Sequence, residues 1–215
     1  MFDIFAIIFC LLLIFLLLIK GLIKTLYCPK KIKAILLFVF LTLILRYVSI
    51  SFLMFSTNIK NLYLLKYFYF MNSISIPIAG LICIYISVRN NKLNLSYTYF
   101  VMLVLTVLYL VITVKYPTLI NVYNNKLYTM NLCTPIDIDI YYILLNLLFL
   151  VVSFRILKRN LVNFNVISMV IISSIVGIIQ SILNIGDYSI IPYNMICDLF
   201  WVYTTYYYLK KVEKH

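Results

Sequence analysis

Uninterrupted apolar runs constrain this chain more than any other feature. The stretch LLLIFLLLI at residues 11–19 has no polar residue, and it does not alternate as a half-buried strand would. Hydrophobic side chains make up 65% of the 215 residues, charged ones only 11%, and the mean hydropathy is +1.08. An ordinary soluble domain is roughly 45–50% apolar and about 25% charged, so that class is excluded. A bilayer core about 30 Å thick needs around 20 apolar residues of helix. Seven candidate spans meet that demand, at about 2–19, 34–57, 67–88, 96–114, 137–154, 166–185 and 192–209. Lipid cannot satisfy an exposed backbone, so the spans must be helical. A transmembrane barrel would alternate apolar and polar residues, and these runs do not. The expected fold is all-α, one seven-transmembrane-helix bundle over residues 1–215.

Charge placement sets the expected orientation. The first span carries Asp3 in place of a basic leader, and no A-x-A cleavage pattern follows it, so it reads as a retained helix with its N-terminus outside. Basic residues then gather on one side. They are Lys20, Lys24, Lys30, Lys31 and Lys33; Arg89 and Lys92; Arg155, Lys158 and Arg159; and Lys210, Lys211 and Lys214. Lys60, Lys66, Lys115 and Lys126 fall on the other side, where Asp3, Asp137, Asp139 and Asp187 balance them. The net charge of +12 is thereby cytoplasmic, as is the C-terminus. It is a topology signal that also attracts anionic lipid of the bilayer. A nucleic-acid partner would need a basic face on a soluble module, so none is expected. The chain is expected in the cell membrane as a multi-pass protein.

Several chemistries lack their residues. Cys10, Cys28, Cys83, Cys133 and Cys197 show no CxxC spacing, and the one histidine is His215, so no metal or other cofactor is expected. No histidine can act as base for a serine, and no span carries paired carboxylates on one face. Gly21, Gly80, Gly177 and Gly186 cannot form a phosphate loop. An enzyme is therefore not expected. A retinal pigment is excluded too, because the last span has no lysine before Lys210. The sequon Asn94-Leu95-Ser96 falls on the cytoplasmic side, and the 20 tyrosines, clustered near span ends, suit an interfacial belt. The longest loop, 115–136, reads as an outer hairpin turning at Asn124-Asn125 and bracketed by Pro117 and Pro135.

The polar residues inside the spans are the candidate site. A charge near mid-bilayer costs at least ~2.5–3.5 kcal/mol, so it must face the bundle and find a partner. Arg46 lies at the centre of span 2, with Thr42 and Ser49 on its face. Asp198, the only acid away from the first residues of a span, shares a face of span 7 with Asn194, Trp201 and Thr205. The two are expected to pair, best as a bidentate fork. Span 6 offers Ser173, Gly177, Gln180 and Asn184 on one stripe; span 3 offers Ser73, Pro77 and Gly80, with Pro77 kinking that helix. Arg46 and Asp198 are expected to face one outward-open cavity, lined also by Gln180, Asn184, Asn194 and Trp201. Its ligand would be small and amphipathic, or anionic.

The chain also resembles known families in outline. Seven spans with an outside N-terminus are similar to SWEET-type sugar transporters, whose hinges rest on prolines in spans 1, 2, 5 and 6; none of those spans holds proline here. A fuller likeness is to the seven-helix sensor region at the N-terminus of bacterial histidine kinases. It is carried by the basic turn KGLIKTLYCPKK, the polar loop STNIKNLYLLKY and the aromatic entry and mid-span proline of YFYFMNSISIPIAG. The exit VRNNK, the outer loop KYPTLINVYNN, the turn RILKRN and Asp187 extend it. The departure is the ending VEKH, where such kinases continue into a coiled coil and catalytic core. The resemblance implies a receptor-like sensor of the bacterial plasma membrane without its own effector, its output carried by a separate signalling partner. A small transporter or channel subunit, or an accessory scaffold, are the other expected classes.

Overall fold

The computed structural model describes residues 2–55, 62–88, 95–123, 127–134, 138–158, 164–186 and 193–212. It is mostly helical: α1 (Phe2–Thr25), α2 (Lys30–Phe55), α3 (Lys66–Tyr69), α4 (Asn72–Val88), α5 (Ser96–Lys115), α6 (Ile138–Leu157), α7 (Phe164–Ile185) and α8 (Met195–Val212). A 3-10 turn, Tyr63–Leu65, leads into α3. Among the described residues, six helical segments are long and apolar enough to cross a membrane, the segment Tyr63–Val88 counting as one. These fit a multi-pass membrane protein. The remaining helix, α8, carries Asp198, Lys210 and Lys211.

The helix ends differ from the expected spans for a physical reason. α1 continues through Lys20 and Lys24, and α2 begins at Lys30, so the basic loop expected at 20–33 shrinks to a tight turn. Long lysine side chains can lie along a helix end and still reach water, so they do not terminate it. The expected third span is broken at Phe70 and Met71, between α3 and α4. Pro77 lies within α4. Its missing N–H frees the carbonyl of Ser73, four residues earlier. The Tyr141 hydroxyl of α6 donates to that carbonyl at 3.1 Å. In lipid such an orphan must be satisfied by protein.

The all-α expectation needs one addition. Strands β1 (Thr118–Tyr123) and β2 (Leu127–Leu132) pair antiparallel, from Thr118 opposite Leu132 to Tyr123 opposite Leu127. This is the hairpin anticipated in the long loop; its Asn124-Asn125 turn, Lys126, Pro135 and Asp137 lie outside the described residues. So do Lys60, Arg89, Lys92, Asn94 of the sequon, Arg159, Asp187, Pro192, Glu213, Lys214 and His215.

Helix α4 is central. It packs on α2, α5, α6, α7 and α8, while α1 lies against α2 and α8, and α7 against α6. Its residues Ile74–Gly80 are all buried. The bundle is inverted relative to a soluble one. In α5 the buried residues are Thr98, Tyr109 and Thr113, while Leu103, Leu110, Val111 and Val114 are exposed. α1 likewise exposes Phe5, Phe9, Leu12 and Leu16. A monomer in water rarely shows such continuous apolar surface. Facing lipid it costs nothing, and association then relies on packing and polar contacts between helices.

Candidate functional site: a buried ion pair at two helix interruptions

Arg46 is 2% exposed and Asp198 0% exposed. Their ion pair joins Nε and Oδ2 at 3.0 Å, without the alignment of a hydrogen bond. The expected bidentate fork does not form, because the terminal nitrogens are used elsewhere. Nη1 donates to the carbonyl of Tyr69 at 2.7 Å, and Nη2 donates to the carbonyl of Tyr193. Tyr69 ends α3, where helical carbonyls lose their intrahelical donors. Tyr193 precedes α8 with φ 69, and Asn194 follows with φ 56. Left-handed backbone at non-glycine residues is uncommon and has to be held by its surroundings.

Gln180 completes that support. In a continued helix the N–H of Cys197 would bond to the carbonyl of Tyr193, four residues back. Here the N–H of Cys197 donates to Gln180 Oε1 at 2.6 Å, while Arg46 takes the Tyr193 carbonyl. Two side chains from α7 and α2 thus replace one backbone bond. Asp198 follows in the first turn of α8, where the helix dipole favours a carboxylate. Its Oδ2 also accepts from the Tyr47 hydroxyl at 2.7 Å, and the Asn72 side chain lies against it. The guanidinium sits over the rings of Tyr47 and Tyr69, 5.9 and 5.6 Å from their centroids.

The other expected site residues lie around this pair in hydrogen-bonded contacts of their own. Asn184 donates to Asn194 Oδ1, and both amides reach Asp139 Oδ1, at 3.2 and 3.4 Å. Trp201, one turn along from Asp198, donates from Nε1 to Asn146 Oδ1 at 3.3 Å. Its ring lies 5.3 Å from that of Phe149. Gly177 lets Asn146 come close: a Cβ there would stand 2.7 Å from Asn146 Nδ2. Thr42 and Ser75 share a buried hydroxyl bond at 2.7 Å, as do Ser173 and Thr204. The expected picture of Arg46 and Asp198 lining an open cavity is therefore revised. Both are enclosed by protein, and both terminal nitrogens of Arg46 are engaged with backbone. A cavity of about 430 Å³ lies elsewhere, between α4, α5, β2 and α6, and none of the six expected ligand-contact residues lines it.

Several participants escaped the sequence reading. Tyr47, Asn72 and Asn146 left a usable signal: each is a polar group inside an apolar run. Asp139, read only as a balancing charge on the outer side, sits in the first turn of α6. Tyr69 and Tyr193 contribute carbonyls, which no residue type advertises.

The seam links distant elements through one residue. The Tyr193 hydroxyl donates to the carbonyl of Tyr128 in β2 at 2.9 Å, while its own carbonyl holds Arg46. Hairpin, α2 and the start of α8 meet there. No family model, curated protein or solved structure matches this chain.

Proposed function

We propose that the chain is a multi-pass membrane sensor, receptor-like, with seven spans, an outside N-terminus and a cytoplasmic C-terminus. α8 is the seventh span on this reading: Asp198 is neutralised by Arg46, and Lys210 and Lys211 lie in its last turn. The observation that carries the reading is Tyr193, tied to the hairpin by its hydroxyl and to Arg46 by its carbonyl. An event at the outer hairpin would act on Tyr193, on the left-handed step at 193–194 and on the first turn of α8. That helix would carry the change to the cytoplasmic side, where a separate protein receives it. The likeness to histidine kinase sensor regions supports the same class, in a bacterial plasma membrane. The stimulus is a small amphipathic or anionic molecule, or the membrane itself.

The test is purification from native membranes after mild cross-linking, beside solute flux in proteoliposomes. The reading expects one stoichiometric partner with a cytoplasmic signalling domain, and no flux. The interruption at Phe70 and Met71 favours a second reading, a small transporter, since broken helices mark transport sites. Flux without a partner would establish that reading in place of the first.

A further inference from the structure

The 430 Å³ cavity has a depth, a lining and a rim that together specify an occupant. Along α5 and the residue that follows it, the wall runs from Leu105 to Tyr116, twelve residues whose eleven steps span about 16 Å at 1.5 Å per residue. That is close to half the ~30 Å hydrocarbon thickness, the depth of one leaflet. α5 makes its main contact with α4, which leaves a gap between α5 and α6. Leu108, Ile112 and Leu144 border that gap and are exposed, so it opens sideways where lipid would lie. Leu132, at the end of β2, closes the hairpin end. Two cations stand at that end: Lys66 Nζ donates to the Tyr116 carbonyl at 2.6 Å, and Lys115 Nζ lies 5.4 Å from the Tyr116 ring centroid. An apolar slot one leaflet deep, with two ammonium groups at its interfacial rim, matches an acyl chain below an anionic headgroup.

We propose that this cavity is a binding site for one anionic phospholipid of the surrounding bilayer, its acyl chain between α5 and α6 and its phosphate at Lys66 and Lys115. The proposal rests on the membrane reading above and is independent of the sensor reading. Tyr109 and Tyr141 line the slot, but their hydroxyls are bonded to the carbonyls of Tyr67 and Ser73. Their polar atoms are thereby occupied within the protein.

The test uses the full chain in nanodiscs doped with phosphatidylglycerol carrying a diazirine in its acyl chain. A phosphatidylcholine counterpart is run beside it, and adducts are mapped by peptide mass spectrometry. We expect phosphatidylglycerol adducts on 105–116 and 138–144 at least threefold above those on the exposed face of α1. Leu108→Trp, which fills the slot from its lipid side, should cut the slot adducts at least threefold and leave the α1 adducts unchanged. Lys66→Gln with Lys115→Gln should abolish the preference for phosphatidylglycerol over phosphatidylcholine. Adducts spread evenly over all exposed helices would overturn the site, and equal labelling by both lipids in the unsubstituted chain would overturn the headgroup assignment. Absence of adducts on α1 as well would mean that the membrane reading itself had failed, a distinct result. Thermal unfolding of each variant in the same nanodiscs checks its fold.

Discussion

Arg46 and Asp198, 152 positions apart in a 215-residue chain, meet at 3.0 Å in the interior of the bundle. Around that contact the guanidinium also closes two breaks in helical backbone, at Tyr69 and at Tyr193. The arrangement explains why a costly arginine is kept there. Non-helical backbone is tolerated at membrane depth only when protein satisfies its polar groups. The carboxylate neutralises the charge that performs this work, and the first turn of α8 favours the carboxylate in turn.

Tyr141→Phe should leave the Ser73 carbonyl without its donor. The expected loss is about 1–3 kcal/mol, the cost of orphaning a buried acceptor. Pro77→Ala restores the backbone N–H four residues on, so the double variant should lose less than Tyr141→Phe alone. Detergent thermal melts of the single and double variants decide this; an equal loss in both would break the link between Pro77 and Tyr141.

Trp201 is the sole tryptophan, so its fluorescence reports one place. Gly177→Ala should push Asn146 away from the indole N–H, since the new Cβ would stand 2.7 Å from the amide. A shift in emission and a loss of about 1–3 kcal/mol are expected, as for overpacking elsewhere. Unchanged emission would show that Asn146 moves without disturbing its bond to Trp201.

Much of this was readable in the residues, and the limits have physical causes. The rough positions of six long apolar helices follow from apolar length, because lipid admits only helices there. Arg46 and Asp198 stood out as the ionisable groups inside spans, each other's one opposite charge by position. The break at Phe70 and Met71 was hidden in an apolar stretch, YFYFMN, whose side chains suit helix and irregular backbone alike. The partners of Arg46 at Tyr69 and Tyr193 were invisible because they are main-chain atoms. Asn146 is legible as the one amide in the run YYILLNLLFLVV.

Tyr193→Phe removes the hydroxyl bond to Tyr128 but keeps the carbonyl that holds Arg46. A loss of about 0.5–1.5 kcal/mol is expected, the net worth of one hydrogen bond. Amide exchange should rise in β2 while α2 stays protected. Faster exchange around Arg46 as well would mean that hairpin and seam unfold as one unit.

Orientation has a native probe. Cys133 is exposed beside the hairpin, whereas Cys28 is 8% exposed and its neighbour Tyr27 is 72% exposed. An impermeant maleimide added to intact cells should label Cys133. In a Cys133→Ser background it should leave Tyr27→Cys unlabelled until the membrane is opened. The reverse pattern would invert the topology.

The most direct test of the central claim is a double-mutant cycle on the buried pair, read by thermal unfolding in detergent. Asp198→Leu strands a buried cation, and Arg46→Leu strands a buried anion and two carbonyls. Each should cost about 3–5 kcal/mol. The double variant removes both charges and leaves only the carbonyls orphaned, so its loss should fall short of the summed single losses by at least about 1 kcal/mol, within the range for contacting residues. Strictly additive losses would contradict the account, because they would mean that Arg46 and Asp198 do not hold one another.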